Sequence, residues 1–581
     1  MGNLRNRKRK AVRTPPSKNA KMPKHGCAGG EDDVSEGPSG VKIGTPSANY
    51  GSFSSPIGIL REGTIFMDLS LLFGVFDELL KCPECDGNVS SHVDIKKKNG
   101  FSHYIVLQCN AEKCGWKYCF TTSKKQGYSH EMNVRTVLAF REIGRGHAAM
   151  VTFCKIMNMP APPTRRVFTK IQNKKLLPAV KQLANDSMLT SALKVREVNS
   201  NGECGISMDG TWQKRGHASH NGIVTAISLD TKKCIDVEVL SDKCQQCLKW
   251  GKKQSDPRYH SWKASHNCKI NHKGSANNME SSGAVKIFER SVNTRGLKYT
   301  SMLGDGDSAT YNSIVERKPY GEECTPKKLE CIGHVQKRVG SRLRKLKNTK
   351  KGVKLSDGKG ISGKGRLTDG KIDMLQNYYG LAVRNNLNDV NEMAKQIKAA
   401  LFHVASTNEK PRHQLCPIGS DSWCGYQRGK ETYVHKNGIP DCIVELIEPI
   451  LDNLSNPSLL SKCTHGLTQN VNECLNGLIW DRCPKTIYVE QETVALATYL
   501  AILKFNDGDI SLLKMLTELD IVPGLFASKG AHDCDRDRIN LSVKISSEKV
   551  KKRRKVRRHL RKKHIDDAKD KEGVTYEPGH F

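Results

Sequence analysis

The sequence predicts a mixed α/β protein with several domains, on three observations. Its 581 residues are enough for three or four domains, and a hydrophobic content of 37% indicates folded material. Short segments of β-forming residues begin at Gly202 and later alternate with helical segments. Pairs of cysteines separated by two residues lie before and among these segments. We therefore expect an α/β core with metal-stapled modules around it.

The composition points to nucleic acid as a partner. The chain has 94 Lys and Arg against 60 Asp and Glu, a formal charge of +34, which suits binding to a phosphate polymer. Its first ten residues are basic, which predicts no secretory signal, so its 21 cysteines are expected in a reducing compartment. There, Cys-x2-Cys pairs are more often zinc ligands than halves of disulfides. No run of about 18 apolar residues occurs, so no membrane span is expected.

Both ends of the chain are predicted to be tails. Residues 1–56 combine a basic run with Pro, Gly and Ser and show no apolar period, which predicts a disordered basic tail. Residues 541–581 form a second basic tail, in which nearly every residue from 549 to 563 is Lys or Arg. Such runs serve as solvated tails, nuclear localisation signals or contacts to the DNA backbone. Together with the net charge, they favour a nuclear protein.

Residues 57–132 are predicted to form a zinc-ribbon-like module. Cys82, Cys85, Cys109 and Cys114 have the spacing C-x2-C-x23-C-x4-C, with β-forming residues between the two pairs. Two such pairs on hairpins bring four thiolates to one ion. The Zn²⁺ is expected to be structural, because four protein ligands leave no open position for chemistry.

Residues 133–200 are predicted to be helical. Apolar residues such as Leu138, Met150 and Phe153 recur near helical spacing before the Pro-rich break at 160–163. Two interpretations of this segment stay open. It is either a DNA-binding element or a helix pair that packs against the core.

From residue 201 the pattern changes to strands. Three β-rich segments at 204–212, 220–229 and 234–240 predict a meander, and a helix at 282–292 follows. A strand, a short helix and another strand come next, the strands at 299–303 and 329–332. This order of elements is that of an RNase H-like domain. The predicted boundaries are 201–344 for the first part of the RNase H-like core, with a zinc-binding insertion at 241–280, then 345–460 for a helical and loop insertion around a helix at 372–384, and 461–540 for the C-terminal helices of the core.

Three acidic residues suit metal-dependent phosphodiester chemistry. Asp209 follows apolar residues in a strand predicted to be buried, where an unpaired carboxylate costs several kcal/mol. Asp305 ends a second strand, and Glu473 lies in a helix-like segment. In-line displacement needs two divalent ions about 4 Å apart, held by converging carboxylates. Mg²⁺ or Mn²⁺ is therefore expected at these acids. Asp307 is the alternative to Asp305, because residues two apart can point the same way.

A second cysteine cluster falls between the meander and the next helix. Cys244, Cys247, Cys268 and His272 are predicted to bind a second structural Zn²⁺, with His266 as the alternative fourth ligand. Glu280 is interpreted as a helix N-terminal acid or as a supporting residue near the catalytic metals. A third set has no regular spacing and carries no metal prediction: His413, Cys416, Cys424, Cys463 and His465.

Cys331 and His334 form a Cys-x2-His pair after the last strand. They are interpreted as half of a zinc site or as a packed Cys and a hydrogen-bonded His. Basic residues follow at near-helical spacing and are candidates for phosphate contacts. The predicted DNA-binding residues are Lys337, Arg338, Arg342, Arg344 and Lys345.

Four strings resemble the Mutator-like transposase domain of animal genomes. They are Asp209-Gly-Thr-Trp, Gly-Asp305-Gly-Asp-Ser, Cys331-Ile-Gly-His334 and Asn-Glu473-x2-Asn. The resemblance extends from about residue 60 to 530 and includes Gly-Lys-Gly-Arg-Leu-Thr-Asp and Tyr-Tyr-Gly between 363 and 380. It implies that Asp209, Asp305 and Glu473 are the metal ligands, and it favours Asp305 over Asp307.

The resemblance implies a cut-and-paste DNA transposase. Water activated between two metal ions cuts the element's ends, and the freed 3′-hydroxyl attacks target DNA. Double-stranded DNA, both transposon ends and target, is the expected partner, and a homo-oligomer is the expected assembly. Two alternatives stay open: a captured transposase that binds DNA or chromatin without catalysis, and an RNase H-like nuclease that hydrolyses DNA without strand transfer.

Overall fold

The computed structural model describes residues 63–560 except 98, 128, 215–218, 307, 420–421, 430–432, 436–437, 555 and 558–559. The predicted tail at 1–56, the end of the C-terminal tail and Asp307 thus lie outside the described residues. The chain divides into one unit at 38–542 and another at 1–37 with 543–581. The described residues of the second unit are mostly helical. None of the described helices has both the length and the apolar character needed to cross a membrane.

The predicted ribbon region contains a helix and a small antiparallel sheet. Helix α1 is Leu69–Leu79. Strands β1 (Val89–Val93), β2 (Tyr104–Cys109) and β3 (Lys117–Thr121) pair in that order, with β2 in the centre. Strands β4 (Lys125–Gln126) and β5 (Ser129–His130) form a short hairpin.

The predicted helical region contains four α-helices and a π-helical turn. They are α2 (Glu131–Glu142), α3 (His147–Ile156), α4 (Arg165–Ile171), the π turn Gln172–Leu176, and α5 (Leu177–Val198). Val134, Met150 and Val180 are fully buried in one cluster with Leu496 and Leu500 from the C-terminal part of the chain. Packing against the core thus accounts for the apolar spacing of this region.

A five-stranded mixed sheet forms the centre. Its strands are β6 (Glu203–Trp212), β7 (Asn221–Ser228), β8 (Cys234–Ser241), β9 (Lys298–Gly304) and β10 (Lys327–Glu330). The strand order is β10-β9-β6-β7-β8. The pairs β6–β7 and β7–β8 are antiparallel, whereas β9 is parallel to both β6 and β10. The predicted mixed α/β class is confirmed.

Helices cover both faces of this sheet. Along β7, Val224 and Ala226 pack toward α8 (Asn278–Arg295), whereas Ile223 and Ile227 pack toward α16 (Asn470–Arg482) and α17 (Gln491–Asp507). Successive residues of a strand point to opposite faces, so a strand covered on both faces is buried along its whole length. All of β7 is buried for this reason.

The remaining helices and helical turns lie between and after these elements in the chain. They are α6 (Gln245–Gly251), α7 (Tyr259–Ser265), α9 (Ser308–Arg317), α10 (Ile332–Thr349), α11 (Asp369–Asn385), α12 (Val390–Ala405), α13 (Gly425–Arg428), α14 (Asp441–Leu454), α15 (Pro457–Leu460), the 3-10 turn Ser461–Cys463, α18 (Ser511–Glu518) and α19 (Leu525–Ser546). The predicted strand at 329–332 is wrong in its last two residues. The strand ends at Glu330, Cys331 is the N-cap of α10, and Ile332 begins the helix.

The insertion at 345–460 has its own helical core, which is built on α10. Val339 and Leu343 of α10 are fully buried against Tyr379 of α11, Ile397 of α12 and Ile447 of α14. The same helix begins directly after β10, so α10 connects the central sheet to the insertion.

Candidate active site

Asp209 and Asp305 lie at matching positions on neighbouring strands. In the parallel pair β6–β9, Ser207 is opposite Leu303. Asp209 lies two residues after Ser207, still within β6, and Asp305 lies two residues after Leu303, directly after β9. Because residues two apart in a strand point to the same face, this register brings both carboxylates to one end of the sheet.

Helix α16 is held against β6 by side-chain amides. Asn472 is fully buried, and its Nδ2 donates to Ser207 O (3.1 Å) while its Oδ1 accepts from Ser207 Oγ (2.5 Å). One turn earlier, Gln469 Nε2 donates to Met208 O (2.7 Å). Glu473 follows Asn472 directly, so these bonds hold its backbone beside the strand that carries Asp209.

The same helix also contacts Asp209 itself. Asn476 Nδ2 donates to Asp209 Oδ2 (2.6 Å), and one turn later Trp480 Nε1 donates to Thr211 Oγ1 (2.8 Å). The spacing of three or four residues between these contacts keeps one face of the helix on the strand. The hydrogen bond from Asn476 differs from the other contacts named here, because its acceptor is a carboxylate oxygen.

The protonation of Asp209 is affected by both of the other acids. Burial raises the pKa of Asp209 to about 6, and the charges of Asp305 and Glu473 raise it too, while the Asn476 hydrogen bond opposes them. Such a cluster of oxygen donors fits a hard divalent cation, which would compensate the repulsion. Within the described residues, the groups whose donor atoms all lie within 4.8 Å of one another contain only Cys and His. The three carboxylates therefore do not all lie within 4.8 Å of one another.

Glu473 is accessible to an incoming substrate. Its side chain is 58% exposed, and Lys337 Nζ lies 3.9 Å from its Oε1. The Lys337 side chain is itself 65% exposed. An exposed pair of this kind contributes little to stability, so both groups can exchange this contact for a ligand.

The Gly304-to-Ser308 turn depends on its second glycine. Gly306 has φ +96°, and a Cβ there would lie 1.4 Å from Arg338 Nη2. Arg338 Nη2 donates to Asp305 O (2.9 Å) and to Glu330 Oε2 (2.8 Å). The Arg338 guanidinium thus binds the backbone carbonyl of Asp305. It occupies the space that a side chain at position 306 would need.

Cys331 and His334 both form hydrogen bonds with Gln469, the N-cap residue of α16. His334 Nδ1 donates to Gln469 Oε1 (3.0 Å), and the Gln469 backbone N–H donates to Cys331 Sγ (3.4 Å). A hydrogen bond with Cys331 raises the pKa of His334, and the charge of Asp305 acts in the same direction. Neither residue belongs to a Cys/His group among the described residues. The geometry favours the hydrogen-bonded pair over the half zinc site.

A fourth carboxylate lies against the strand of Asp209. A Cβ on Gly210 would be 2.6 Å from Glu280 Oε2, so the absence of a side chain at 210 lets Glu280 approach the backbone beside Asp209. Glu280 lies in the first turn of α8. This position agrees with both interpretations offered for Glu280, a helix N-terminal acid and a supporting residue beside Asp209.

The model of one protein family, described as Mutator-like transposase, matches residues 63–424, which is more than half of the chain. The chain belongs to the Mutator-like transposase family. No curated protein matches the chain. The matched range contains Asp209 and Asp305 but ends before Glu473, so the prediction of a site role for Glu473 rests on the helix contacts described above.

The basic residues of α10 have different surroundings. Lys337 lies beside Glu473, and Arg338 is bound to Glu330 and Asp305 as described. Arg342 Nη1 donates to Asn453 Oδ1 (2.5 Å), and Arg344 forms an ion pair with Asp373. Lys345 is exposed. A role in DNA binding stays a prediction for all five, and Arg338 is the one whose charge is most engaged within the fold.

The four ribbon cysteines lie together. Cys82 Sγ is 3.5 Å from Cys114 Sγ, Cys85 Sγ is 3.5 Å from Cys109 Sγ, and all four sulfurs lie within 4.8 Å of one another. Four sulfurs bound tetrahedrally to one Zn²⁺ at about 2.3 Å are about 3.8 Å apart. These residues could therefore hold zinc.

In the second cluster, the histidine beside the three thiols is His266. Its Nε2 lies 3.5 Å from Cys244 Sγ and 3.2 Å from Cys247 Sγ, and Cys268 completes the group. The predicted ligand His272 is corrected by this geometry. Its backbone N–H donates to Ser241 O beside β8, and its Nε2 lies 3.1 Å from Ser275 O, so its ring is turned away from the thiols.

The third set of cysteines and histidines divides in two. His413, Cys416 and Cys424 lie together and are joined by His403, which the sequence prediction missed. Cys463 and His465 lie elsewhere and contact backbone carbonyls of their own segment. His403 gave no signal in the sequence, because it lies within a regular amphipathic helix, α12.

Proposed function

We propose that the protein is a cut-and-paste DNA transposase in which Asp209, Asp305 and Glu473 hold the divalent ions. The observation that carries this proposal is geometric: the β6–β9 register places Asp209 and Asp305 beside each other, and amide hydrogen bonds hold the helix of Glu473 against β6 at Asp209. Family membership supports transposase chemistry in general. The two-metal mechanism and the assignment of this triad are our inference from the geometry.

We infer that the central domain is RNase H-like. Starting from one edge, β8-β7-β6 form an antiparallel meander, and β9 and β10 continue the sheet parallel to β6. This arrangement supports the inference because it seats the two aspartates on adjacent strands and the glutamate on a helix against the first strand. Those are the three positions that the predicted triad needs.

In the proposed mechanism each polar neighbour has a defined task. When bound, Mg²⁺ or Mn²⁺ supplies charge for the scissile phosphate and lowers the pKa of the attacking water. Asn476 orients the Asp209 carboxylate, and Arg338 fixes the backbone at Asp305. Lys337, exposed beside Glu473, offers a positive charge to the DNA backbone. No Ser or Tyr nucleophile is required, because the freed 3′-hydroxyl attacks the target directly.

The test is a nicking and strand-transfer assay in Mg²⁺ or Mn²⁺ on labelled DNA that carries the element ends. Wild-type protein should yield joined products, and Glu473→Gln should yield none while binding the DNA equally. Glu445→Gln is the matched control, since Glu445 is an exposed glutamate on α14. Binding without cutting in the wild type would instead support the captured DNA-binding alternative. Cutting without joining would support a hydrolytic nuclease.

We also propose that the protein acts in the nucleus. The support is the net charge of +34 and the basic runs at 5–10 and 549–563. A fluorescent fusion of the full chain should accumulate in the nucleus, and neutralising the run at 549–563 should reduce that accumulation. An unchanged distribution would contradict a targeting role for the C-terminal run.

A further inference from the structure

Four side chains at the edge of the insertion have their donor atoms turned toward one point. His403 lies near the end of α12, and His413, Cys416 and Cys424 lie in the segment that follows. His413 and both cysteines are buried, Cys424 completely. This group, which we call the insertion cluster, is separate from the catalytic acids and from the two cysteine clusters predicted by spacing.

The distances within the insertion cluster are those of a tetrahedral zinc site. His403 Nδ1 and His413 Nδ1 are 3.2 Å apart, and Cys424 Sγ lies 3.5 and 3.4 Å from these two atoms. Cys416 Sγ lies 3.9 and 3.7 Å from them. With Zn–N near 2.0 Å and Zn–S near 2.3 Å, the expected separations are about 3.3 Å for N···N and about 3.6 Å for N···S.

Hydrogen bonding alone does not account for this arrangement. An N–H···N bond between the two imidazoles would explain their approach, but it would not bring two thiols to the same pair of nitrogens. Buried polar atoms normally have good partners, and a thiol is a weak donor and acceptor. A thiolate bound to zinc removes this difficulty, because the ion is the shared partner of all four atoms.

The outer neighbours of His413 also fit a metal ligand. A metal-bound histidine usually donates its second ring N–H to an acceptor, which fixes its tautomer. His413 Nε2 lies 2.8 Å from His435 Nε2, and His435 Nδ1 lies 2.8 Å from Asn408 Oδ1. With His413 Nδ1 on the metal, His413 Nε2–H donates to His435, and His435 Nδ1–H donates to Asn408. Each ring nitrogen then has one role.

The fold gives the insertion cluster a structural task. The described residues between the end of α12 and Cys424 contain no helix or strand, although His413, Cys416 and Cys424 in this segment are buried. A long irregular segment inside a compact domain needs a constraint of its own. A metal that joins His403 to the segment supplies that constraint, since it closes a loop of about 20 residues.

We propose that His403, His413, Cys416 and Cys424 bind a structural Zn²⁺ that fixes the segment after α12 to the insertion. Four protein ligands leave no open coordination position, so this ion takes no part in the chemistry. The two thiols lose their protons to solvent when the ion binds.

The proposed ion also positions the wall of a neighbouring cavity. The ring of His403 lies 5.0 Å from that of Trp423 and 5.9 Å from that of Tyr378. Both aromatic side chains line a cavity of about 490 Å³ in the insertion. Loss of the ion is therefore expected to disturb Trp423 before it affects the central sheet.

The first test is the zinc content of the full-length protein, purified without chelator and measured by native mass spectrometry and elemental analysis. The expected result is three zinc ions per chain, one for each Cys/His group, and two in Cys424→Ser. The matched control is Cys463→Ser, because Cys463 is equally buried but lies outside the group; it should keep three. A wild-type content of two, or three ions in Cys424→Ser, would overturn the proposal.

A second test uses the unaltered chain, so it does not depend on the folding of a variant. Cys416 and Cys424 should resist alkylation in the native protein and become alkylated when a strong chelator removes zinc. Cys204, which is buried in the central sheet and lies outside the Cys/His groups, should show no such change. Chelator-independent labelling of Cys416 and Cys424 would contradict zinc ligation.

Discussion

At the scale of single residues, the surroundings of Asp209 disfavour its charged form. Its carboxylate is largely buried and lies near the charges of Asp305 and Glu473. The Asn476 hydrogen bond compensates this only in part, because burial still raises the pKa to about 6. These surroundings support the proposal that Asp209 binds a divalent cation.

The sign of this pKa shift gives a stability prediction. Because the folded-state pKa of Asp209 is raised, its contribution to stability is present below its unfolded pKa and is lost as the pH rises through about 6. Asp209→Asn should therefore increase the free energy of unfolding at neutral pH by about 1 kcal/mol in magnesium-free buffer. Added Mg²⁺ should stabilise the wild type but not the variant. Urea denaturation with and without Mg²⁺ measures both effects.

The control for this prediction is the same pair of proteins at about pH 4, close to the unfolded pKa, where Asp209 is mostly protonated in the folded state. The difference between them should then become small. Chelators are avoided, since they would also strip the zinc groups. A variant less stable than the wild type at neutral pH would contradict this account of Asp209.

Gly306 allows a second prediction at this scale. Gly306→Ala should destabilise the protein both through φ +96° and through displacement of Arg338. Gly321 is the matched control, because its φ is +82° and no atom lies within 4 Å of a Cβ there. We expect Gly306→Ala to lose about 1–3 kcal/mol more than Gly321→Ala, measured by chemical denaturation. Equal losses would show that the Arg338 contact with Asp305 is unimportant.

At the scale of elements, α16 acts as the carrier of Glu473. Its contact face is amide-rich, with Gln469, Asn472 and Asn476 all bonded to β6. Amides bonded to a backbone fix both the register and the rotation of a helix more narrowly than apolar contacts do. The direction of Glu473 therefore depends on residues that do not themselves contact a substrate.

Asn472→Ala should reveal this dependence. Loss of its amide leaves buried Ser207 groups without their partner and should cost about 1–3 kcal/mol of stability. Strand transfer should fall more than tenfold while affinity for DNA is unchanged. Asn470→Ala is the control on the same helix, since Asn470 is exposed. Normal strand transfer in Asn472→Ala would show that α16 needs no such anchor.

The sequence predicted the limits of helices and strands better than it predicted contacts between residues that are distant in the chain. The helix expected at 372–384 is α11, and the three strands of the meander differ from their predicted limits by one residue at most. The local spacing of Cys82, Cys85, Cys109 and Cys114 was enough to group them. The choice of His266 over His272 depends on how 271–272 docks beside Ser241, which no local pattern contains. In the sequence, His403 is ten residues from His413, the nearest other member of its group. Its position in α12 does not distinguish it from other helical residues.

At the scale of the whole molecule, the described part of this strongly positive chain contains Cys/His groups that could each hold a zinc ion. Three Cys/His groups lie in the ribbon region, after the meander and in the insertion. Each is local in sequence, so each stabilises one module and not the whole protein. Loss of one ion should accordingly unfold its own module first.

The net charge of +34 predicts how DNA binding depends on salt. Each phosphate contact contributes about 0.9 to the slope of log affinity against log salt concentration. If the exposed Lys345 contacts phosphate, Lys345→Ala should lower that slope by about 0.9 and weaken binding equally for all duplex sequences. Lys395→Ala is the matched control, because Lys395 lies on α12 and pairs with Glu392. Fluorescence anisotropy on non-specific duplex DNA over a range of salt concentrations gives the slopes. If Lys345→Ala and the wild type had the same slope, Lys345 would not belong to the DNA-binding surface. The positive charge of α10 would then serve its intramolecular ion pairs.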